Sequence, residues 1–217
     1  MKHRTHDIKE LIFQFNSRNS RATFIYELFE QYFNNSVLDV GCFNAPLRSQ
    51  LKGLSYTGID IDGDPDLKIN LEEQERLPFQ DCSFELTICT EVLEHLNNLH
   101  SVFDELFRVT SKYLIISLPN SWCNARVKIE RGNGDFLHYG LPTLKPLDRH
   151  KWFFNATHSI DFFCDAAPPG FRVKEIFAVE KNKFFLLKYF RKIRYPKMKY
   201  LNRYCHTVIA LFERVNI

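Results

Sequence analysis

The chain has 217 residues, 45% of them hydrophobic and 21 of them Phe, which is enough to bury one sizeable aromatic-rich core. No apolar run reaches the roughly eighteen residues that a membrane-spanning helix needs, and the polar N-terminus does not resemble a secretory signal. The six cysteines show no C-x-x-C spacing, which argues against a disulfide or zinc framework and favours reduced thiols. We therefore expect a single domain over residues 1–217 of a cytoplasmic protein, with no metal site.

Hydrophobic periodicity predicts helices and strands in alternation. Helices are predicted at residues 20–33, 45–52 and 99–110. Strands are predicted at residues 36–41, 55–61, 84–90, 112–118, about 171–179 and about 206–214, with 67–71 a weaker candidate. Alternation of this kind builds an α/β fold in which helices cover both faces of a mostly parallel sheet.

The first predicted strand runs into a tight turn. Val37, Leu38 and Val40 suit a strand covered on both faces, and Gly41 removes a Cβ where the backbone must approach a ligand closely. The next strand ends at Asp60, whose carboxylate can accept hydrogen bonds from ribose hydroxyls. Strand, turn, strand and acid predict a pocket for an adenosine-containing cofactor at the carboxyl ends of the strands. An ordinary βαβ unit without a ligand is the alternative at this point.

The turn departs from the dinucleotide pattern G-x-G-x-x-G. After Gly41 it has Phe43 and Ala45 in place of the second and third glycines. A pyrophosphate resting on this turn is therefore disfavoured, and an NAD-dependent dehydrogenase is kept only as a third hypothesis.

Further motifs follow in a fixed order. After V-L-D-V-G-C at 37–42 and G-I-D at 58–60 come L-P-F-Q-D-C-S-F-E at 77–85, V-L-E-H-L at 92–96, R-V at 108–109 and P-N at 119–120. Together they resemble a class I S-adenosylmethionine-dependent methyltransferase of the type 11-like group. The resemblance covers about residues 20–120 and, more loosely, 148–171. It implies a Rossmann-like fold, a mostly parallel central sheet with an antiparallel C-terminal edge strand and helices on both faces.

The same resemblance implies S-adenosyl-L-methionine as cofactor and nine residues that bind it. They are Asp39, Gly41, Cys42, Phe43, Asp60, Ile61, Asn70, Leu71 and Glu91. In the family, the position of Asp60 holds the ribose, that of Ile61 packs on the adenine, and that of Glu91 lies beside the methionine moiety. The side chain of Phe43 narrows the mouth of the pocket and is compatible with binding if its φ angle is negative.

The segment at about 120–155 is predicted to be a lid that covers the substrate, because long aromatic-containing loops on such scaffolds are usually functional. His150 is the first candidate for a catalytic residue and His138 the second, since a neutral imidazole suits proton acceptance at pH 7. The alternative for His150 is a structural hydrogen bond that ties the lid to the body. Glu94 and His95 are expected to have structural roles in capping and turn hydrogen bonds.

A basic segment covers residues 181–203, which hold nine Lys or Arg and no acidic residue. Within it Leu186, Tyr189, Phe190 and Ile193 would share one helical face, with most of the basic residues opposite, and Pro196 would end the helix. A basic amphipathic helix can lie peripherally on an anionic membrane or grip phosphates. The alternatives are a helix packed on the sheet edge with a solvated basic face and, least favoured, a nucleic-acid contact.

The sequence thus predicts an enzyme that transfers a methyl group from S-adenosylmethionine to a small-molecule, sugar or lipid-linked acceptor. The alternative is a catalytically silent module that binds the cofactor and acts through its basic segment.

Overall fold

The computed structural model describes residues 7–134, 137–139 and 149–215. Their strands are β1 (Ile8–Ile12), β2 (Ser36–Val40), β3 (Ser55–Asp60), β4 (Leu67–Lys68), β5 (Phe84–Thr90), β6 (Thr110–Pro119), β7 (Phe171–Glu180) and β8 (Cys205–Arg214). Their α-helices are α1 (Arg18–Phe29), α2 (Leu99–Val109), α3 (Ser121–Arg131), α4 (Ala156–Asp165), α5 (Phe185–Arg194) and α6 (Met198–Tyr204). Short 3₁₀ turns lie at Glu30–Tyr32, Leu93–His95 and Leu137–Tyr139.

One sheet joins all eight strands in the order β1-β7-β8-β6-β5-β2-β3-β4. Strand β8 is antiparallel to both of its neighbours, β6 and β7, and every other pairing is parallel. The predicted Rossmann-like α/β fold is confirmed. The structure adds one strand that was not predicted from the sequence, β1, which pairs with β7 and forms one edge of the sheet. Strand β8 lies between β7 and β6.

Each face of the sheet carries its own apolar cluster. Along β6, Leu114 and Ile116 pack in the cluster that includes α2, α4 and α6, while Ile115 between them packs in the cluster that includes α1. Alternation of side chains along a strand produces this division. The sheet is therefore covered on both faces, and its carboxyl-terminal edge is left for a ligand.

The helix predicted at residues 45–52 is wrong, because this segment forms a series of turns. Phe43 and Ala45 have φ angles of 50° and 48°, which are outside the helical region. The amide of Ala45 donates to the carbonyl of Cys42, and that of Arg48 donates to the carbonyl of Ala45, three residues back each time. Leu47 is nevertheless buried, as its helix-like spacing suggested.

The predicted lid begins with a helix that the sequence analysis did not identify. Asn120 caps α3 by accepting from the amide of Cys123 at 3.2 Å, and its own amide donates to the carbonyls of Leu201, Asn202 and Cys205 at 2.8–3.1 Å. The start of α3 is thus tied to α6 and β8. Residues 135–136 and 140–148 of the predicted lid lie outside the described residues.

The basic segment contains two helices, and the helix predicted before Pro196 is confirmed as α5. None of its residues is buried. Among the described helices, none combines the length and the apolarity that crossing a bilayer would need.

Candidate functional site

A cavity of about 660 Å³ opens at the carboxyl ends of β2, β3 and β5. All nine residues that the resemblance proposed for the cofactor lie around it: Asp39, Gly41, Cys42, Phe43, Asp60, Ile61, Asn70, Leu71 and Glu91. They come from four separate chain segments, and the parallel strands bring them to one edge of the sheet.

The turn after β2 forms the floor of the cavity. Gly41 has a φ angle of 77°, and a Cβ built on it would lie 2.2 Å from Cγ2 of Val92. The amides of Gly41 and Cys42 both donate to the carbonyl of Ile59, at 2.8 and 3.2 Å. Glycine is therefore required here by the left-handed backbone and by the packed Val92, rather than by a close ligand alone.

Phe43 keeps the backbone of a glycine-rich turn despite its side chain. Its φ angle is 50°, so the negative angle stated as the condition for cofactor binding is not found. Its amide donates to Oδ2 of Asp60 at 2.7 Å, and the guanidinium of Arg18 lies 4.0 Å from the centre of its ring. The carboxylate and the cation–π contact together hold the side chain against α1 in this conformation.

Asp60 joins the turn to the end of β3. Its Oδ2 accepts from the amide of Phe43 and its Oδ1 accepts from the amide of Asp62 at 3.1 Å. Each carboxylate oxygen has a second lone pair, so both can accept a further hydrogen bond from a diol. The neighbouring Ile61 is 61% exposed and lines the cavity together with Leu71, which gives an apolar surface for a flat ring.

Two carboxylates lie deeper in the cavity. Burial raises the pKa of Asp39 to about 6, opposed by the hydrogen bond from the Tyr56 hydroxyl at 2.8 Å. Burial also raises the pKa of Glu91, against the charge of Arg21 and the hydrogen bond from Thr207 at 3.1 Å. Glu91 follows directly after β5 and has a φ angle of 56°. This left-handed conformation is strained for a residue other than glycine.

Several residues that line the cavity were missed by the sequence analysis. Five of them are basic: Arg18, Arg21, His95, Arg149 and Lys151. The two arginines lie in the first turn of α1, and of the two only Arg21 falls within the helix predicted at residues 20–33. The others belong to segments whose contact with the sheet has no local signature in the sequence.

His150 and His138 form a stacked pair with ring centres 4.5 Å apart. The ring of His95 meets that of His150 edge to face at 4.6 Å. Among the described residues, His95 lines the cavity, whereas neither His150 nor His138 does. The two candidate catalytic residues are therefore brought together one side chain away from the cavity.

Residues 149–152 are hydrogen-bonded to the turn that follows β5. The amides of Lys151 and Trp152 donate to the carbonyl of Glu94, and Nε1 of Trp152 donates to the carbonyl of Leu96 at 2.7 Å. The side chain of Lys151 also pairs with Glu72. The structural role expected for the turn at Glu94 is thus carried by its backbone, which holds one end of the predicted lid beside the cavity.

Residues 38–113 match the family model of a methyltransferase domain. Among solved structures, the chain is similar to an S-adenosylmethionine-dependent methyltransferase from Methanosarcina mazei, at 17% identity over 88% of this chain and 99% of that chain, with a TM-score of 0.57. It is also similar to such a methyltransferase from Archaeoglobus fulgidus, at 16% identity over 93% and 96% of the two chains, with a TM-score of 0.59.

A third similar structure is magnesium protoporphyrin IX methyltransferase from Synechocystis, which has S-adenosylhomocysteine bound. It shares 15% identity over 91% of this chain and 83% of that chain, with a TM-score of 0.55. At these identities the likeness concerns the fold. No curated protein sequence matches this chain.

The strained turn leads to a first prediction, on Ala45→Gly. Removing a Cβ at a positive φ relieves about 1 kcal/mol of strain, whereas the same change inside a helix costs about 0.5–1 kcal/mol. Compared with Ala125→Gly, which alters a similarly buried alanine of α3, Ala45→Gly is therefore expected to leave the protein more stable by about 1.5–2 kcal/mol. Urea unfolding of the two variants measures the difference, and equal losses would contradict a left-handed conformation at Ala45.

The raised pKa of Asp39 leads to a second prediction, on Asp39→Asn. The pKa of Asp39 is higher in the folded protein than in the unfolded chain. Its contribution to the free energy of unfolding is therefore fully present below about pH 4 and is lost as the pH rises through about 6. Asp39→Asn retains an acceptor for Tyr56 and has no charge to bury, so its advantage over the parent should grow by about 2 kcal/mol between about pH 4 and about pH 7.5.

Chemical unfolding across this pH range checks the expectation for Asp39. Asp104→Asn, which changes an exposed carboxylate on α2, is the control and should show no such gain. Parallel stability profiles for the parent and Asp39→Asn would refute the raised pKa.

Proposed function

We propose that this chain, whose residues 38–113 belong to the methyltransferase-domain family, binds S-adenosylmethionine in the cavity and catalyses methyl transfer to an acceptor. The observation that carries the proposal is the convergence of all nine cofactor residues implied by the motifs on one cavity. When bound, S-adenosylmethionine supplies a methyl group attached to a sulfonium sulfur. The residues of this chain bind and orient it.

The charges around the cavity complement those of the cofactor. Asp60 would accept hydrogen bonds from the ribose hydroxyls, and Ile61 and Leu71 would contact the adenine. The carboxyl groups of Asp39 and Glu91 would lie near the ammonium and sulfonium groups of the cofactor, and Arg21 is close enough to Glu91 to affect its pKa. An arginine at this position suits the cofactor's carboxylate.

The acceptor would enter beside the predicted lid. His95 lines the cavity there, and His150 and His138 stack behind it. We propose that a histidine of this cluster accepts the proton of the acceptor, with His150 as the first candidate and His138 as the second. Positioning of the acceptor oxygen or nitrogen by the segment at residues 149–152 would supply much of the rate.

The exposed surface of α5 supports a lipid-linked acceptor at an anionic membrane. The basic face of α5 is turned toward the protein, since Lys188 pairs with Glu180 and Glu10, and Lys192 pairs with Glu10 at 2.5 Å. The aromatic and aliphatic residues therefore face outward: Phe184, Phe185, Leu186, Leu187, Tyr189, Phe190 and Ile193 are all exposed, the first two at 71%.

This orientation is the reverse of a helix packed on the sheet edge with a solvated basic face. Further cations of the basic segment, including Lys181, Lys183, Arg194 and Lys197, are exposed and lie close in sequence to these apolar residues. Exposed aromatic residues bordered by cations match the interface of an anionic bilayer in both polarity and charge.

The cytoplasm is the location that accords with the thiols. The thiols of Cys42, Cys89 and Cys205 are buried, and burial raises the pKa of each of them. Thiols of this kind are inert structural groups typical of a reducing compartment.

A third prediction tests the cofactor site through Asp60→Ala. Calorimetric titration should show binding of S-adenosylmethionine and S-adenosylhomocysteine to the parent protein. Loss of two hydrogen bonds to a charged acceptor at about 1.5 kcal/mol each should weaken both by about 100-fold in Asp60→Ala. Asp104→Ala, on the exposed face of α2, is the control and should bind as the parent does.

Thermal unfolding would establish that Asp60→Ala is folded. Unchanged affinity in a folded Asp60→Ala, or no binding to the parent, would overturn the proposed site. Binding without turnover to S-adenosylhomocysteine in any cell-extract fraction would instead favour the catalytically silent module.

A fourth prediction tests the membrane contact by vesicle flotation. The parent should float with vesicles of phosphatidylcholine and phosphatidylserine, less so in high salt, and should not float with phosphatidylcholine alone. Phe185→Glu combined with Phe190→Glu should abolish flotation. Ile129→Glu, which changes an equally exposed apolar residue on α3, is the control. Equal flotation of both variants, or none of the parent, would remove the membrane from the proposal.

A further inference from the structure

We propose that Glu94, His95 and His150 form a binding site for a divalent transition-metal ion of the zinc class at the rim of the cavity. One ligand atom from each of the three side chains lies within 4.8 Å of the other two. Two imidazole nitrogens and one carboxylate are the donors of many open catalytic zinc sites, in which further coordination positions remain for water or substrate. The expectation of no metal site from the sequence is thereby revised.

His95 is oriented as a metal ligand should be. Its Nδ1 lies 3.2 Å from the carbonyl oxygen of Arg149, which can only accept a hydrogen bond. In the neutral ring the proton is therefore on Nδ1, and the lone pair is on Nε2. A ligating histidine almost always donates its other ring N–H to a carbonyl or carboxylate in this way.

The lone pair of His95 faces a carboxylate. Its Nε2 lies 3.6 Å from Oε1 of Glu94, which is an acceptor as well. Two acceptors at this distance repel each other when the imidazole is neutral, and a cation between them converts the repulsion into two bonds. Glu94 is only 1% exposed, so its carboxylate is held in a fixed position among protein atoms, as a metal ligand is.

The three ligands sit on backbone that is already fixed. Glu94 and His95 belong to the 3₁₀ turn Leu93–His95, and the amides of Lys151 and Trp152, next to His150, donate to the carbonyl of Glu94. Zinc bonds nitrogen and oxygen ligands at about 2.0–2.2 Å, so the side chains would close on the ion by about 1 Å. Rotation about side-chain bonds is enough for this, with the backbone kept in place.

The position gives the ion a role that rests on the proposed function. His95 and Arg149 line the cavity, so the ion would face the side from which the acceptor enters. A cation held there by Glu94, His95 and His150 would bind an oxygen of the acceptor and would lower the pKa of an acceptor hydroxyl. We therefore infer that the acceptor is an oxygen nucleophile. In the metal-bound protein His150 would be a ligand of the ion, and this role would replace the proton acceptance assigned to it above.

The test measures metal binding directly on the full chain after dialysis against a chelator. Titration with Co²⁺ should give the visible absorption of a nitrogen- and oxygen-bound ion that saturates at one equivalent, and Zn²⁺ should displace it. His150→Ala should weaken binding by at least about 100-fold. His158→Ala, which changes an exposed histidine on α4 outside the cluster, should bind as the parent does.

Glu94→Gln supplies a second variant with little change in volume. It should also weaken binding, and circular dichroism establishes that it is folded. If it does not fold, His150→Ala by itself decides the question, because His150 is partly exposed and tolerates truncation better. Substoichiometric Co²⁺ in the parent, or equal binding by parent and His150→Ala, would overturn the site.

Calorimetry with S-adenosylhomocysteine on the same samples separates the two proposals. Metal binding without cofactor binding would keep the site and refute the proposed function. Cofactor binding without metal binding would do the reverse.

Discussion

The left-handed turn after β2 is the constraint on which the rest of the site depends. Three contacts hold it: the carbonyl of Ile59 accepts from two of its amides, Asp60 accepts from the amide of Phe43, and Val92 fills the space beside Gly41. These contacts come from β3 and from the loop after β5, so the turn locks three neighbouring strands to one another. These contacts fix the turn as the floor of the cavity at the carboxyl ends of those strands.

Holding this geometry costs stability. Positive φ angles at Phe43, Ala45 and Glu91 each store strain, and burial opposes the ionisation of Asp39 and Glu91. Such costs accumulate where a ligand with complementary charges is to be bound, and the surrounding core offsets them. The apolar clusters on both faces of the sheet supply that offset without taking part in the site.

The parts outside the sheet are attached through polar contacts. The backbone of Glu94 clamps residues 149–152 beside the cavity, and Glu10 and Glu180 hold the basic face of α5. Each of these two sets of contacts determines which side chains of the segment face the cavity or the solvent. The first turns His150 toward His95 and Glu94, and the second turns the apolar face of α5 to solvent.

Seven of the eight described strands and the α/β class were predictable from local patterns in the sequence. The nine predicted residues that line the cavity came from the resemblance to the methyltransferase family. Strand periodicity and the G-I-D that ends β3 are readable in a few consecutive residues. The sequence did not reveal the edge strand β1, the turns at residues 45–52 or the helix at α3. Strand β1 depends on its pairing with β7, and the turns at residues 45–52 follow positive φ angles at Phe43 and Ala45. The start of α3 is held by Asn120, whose side-chain amide donates to carbonyls of α6 and β8.

The exposed face of α5 and the meeting of Glu94, His95 and His150 depend on contacts between distant parts of the chain. The sequence of α5 shows an apolar face and a basic face but does not show which of them contacts the protein. The basic face does so because Lys188 pairs with Glu10 of β1 and Glu180 of β7, which are distant in sequence. Likewise the ligands of the candidate metal site come from segments far apart along the chain, and no spacing within either segment signals the other. Contacts between distant segments depend on how the whole sheet is assembled, and a local pattern does not encode them.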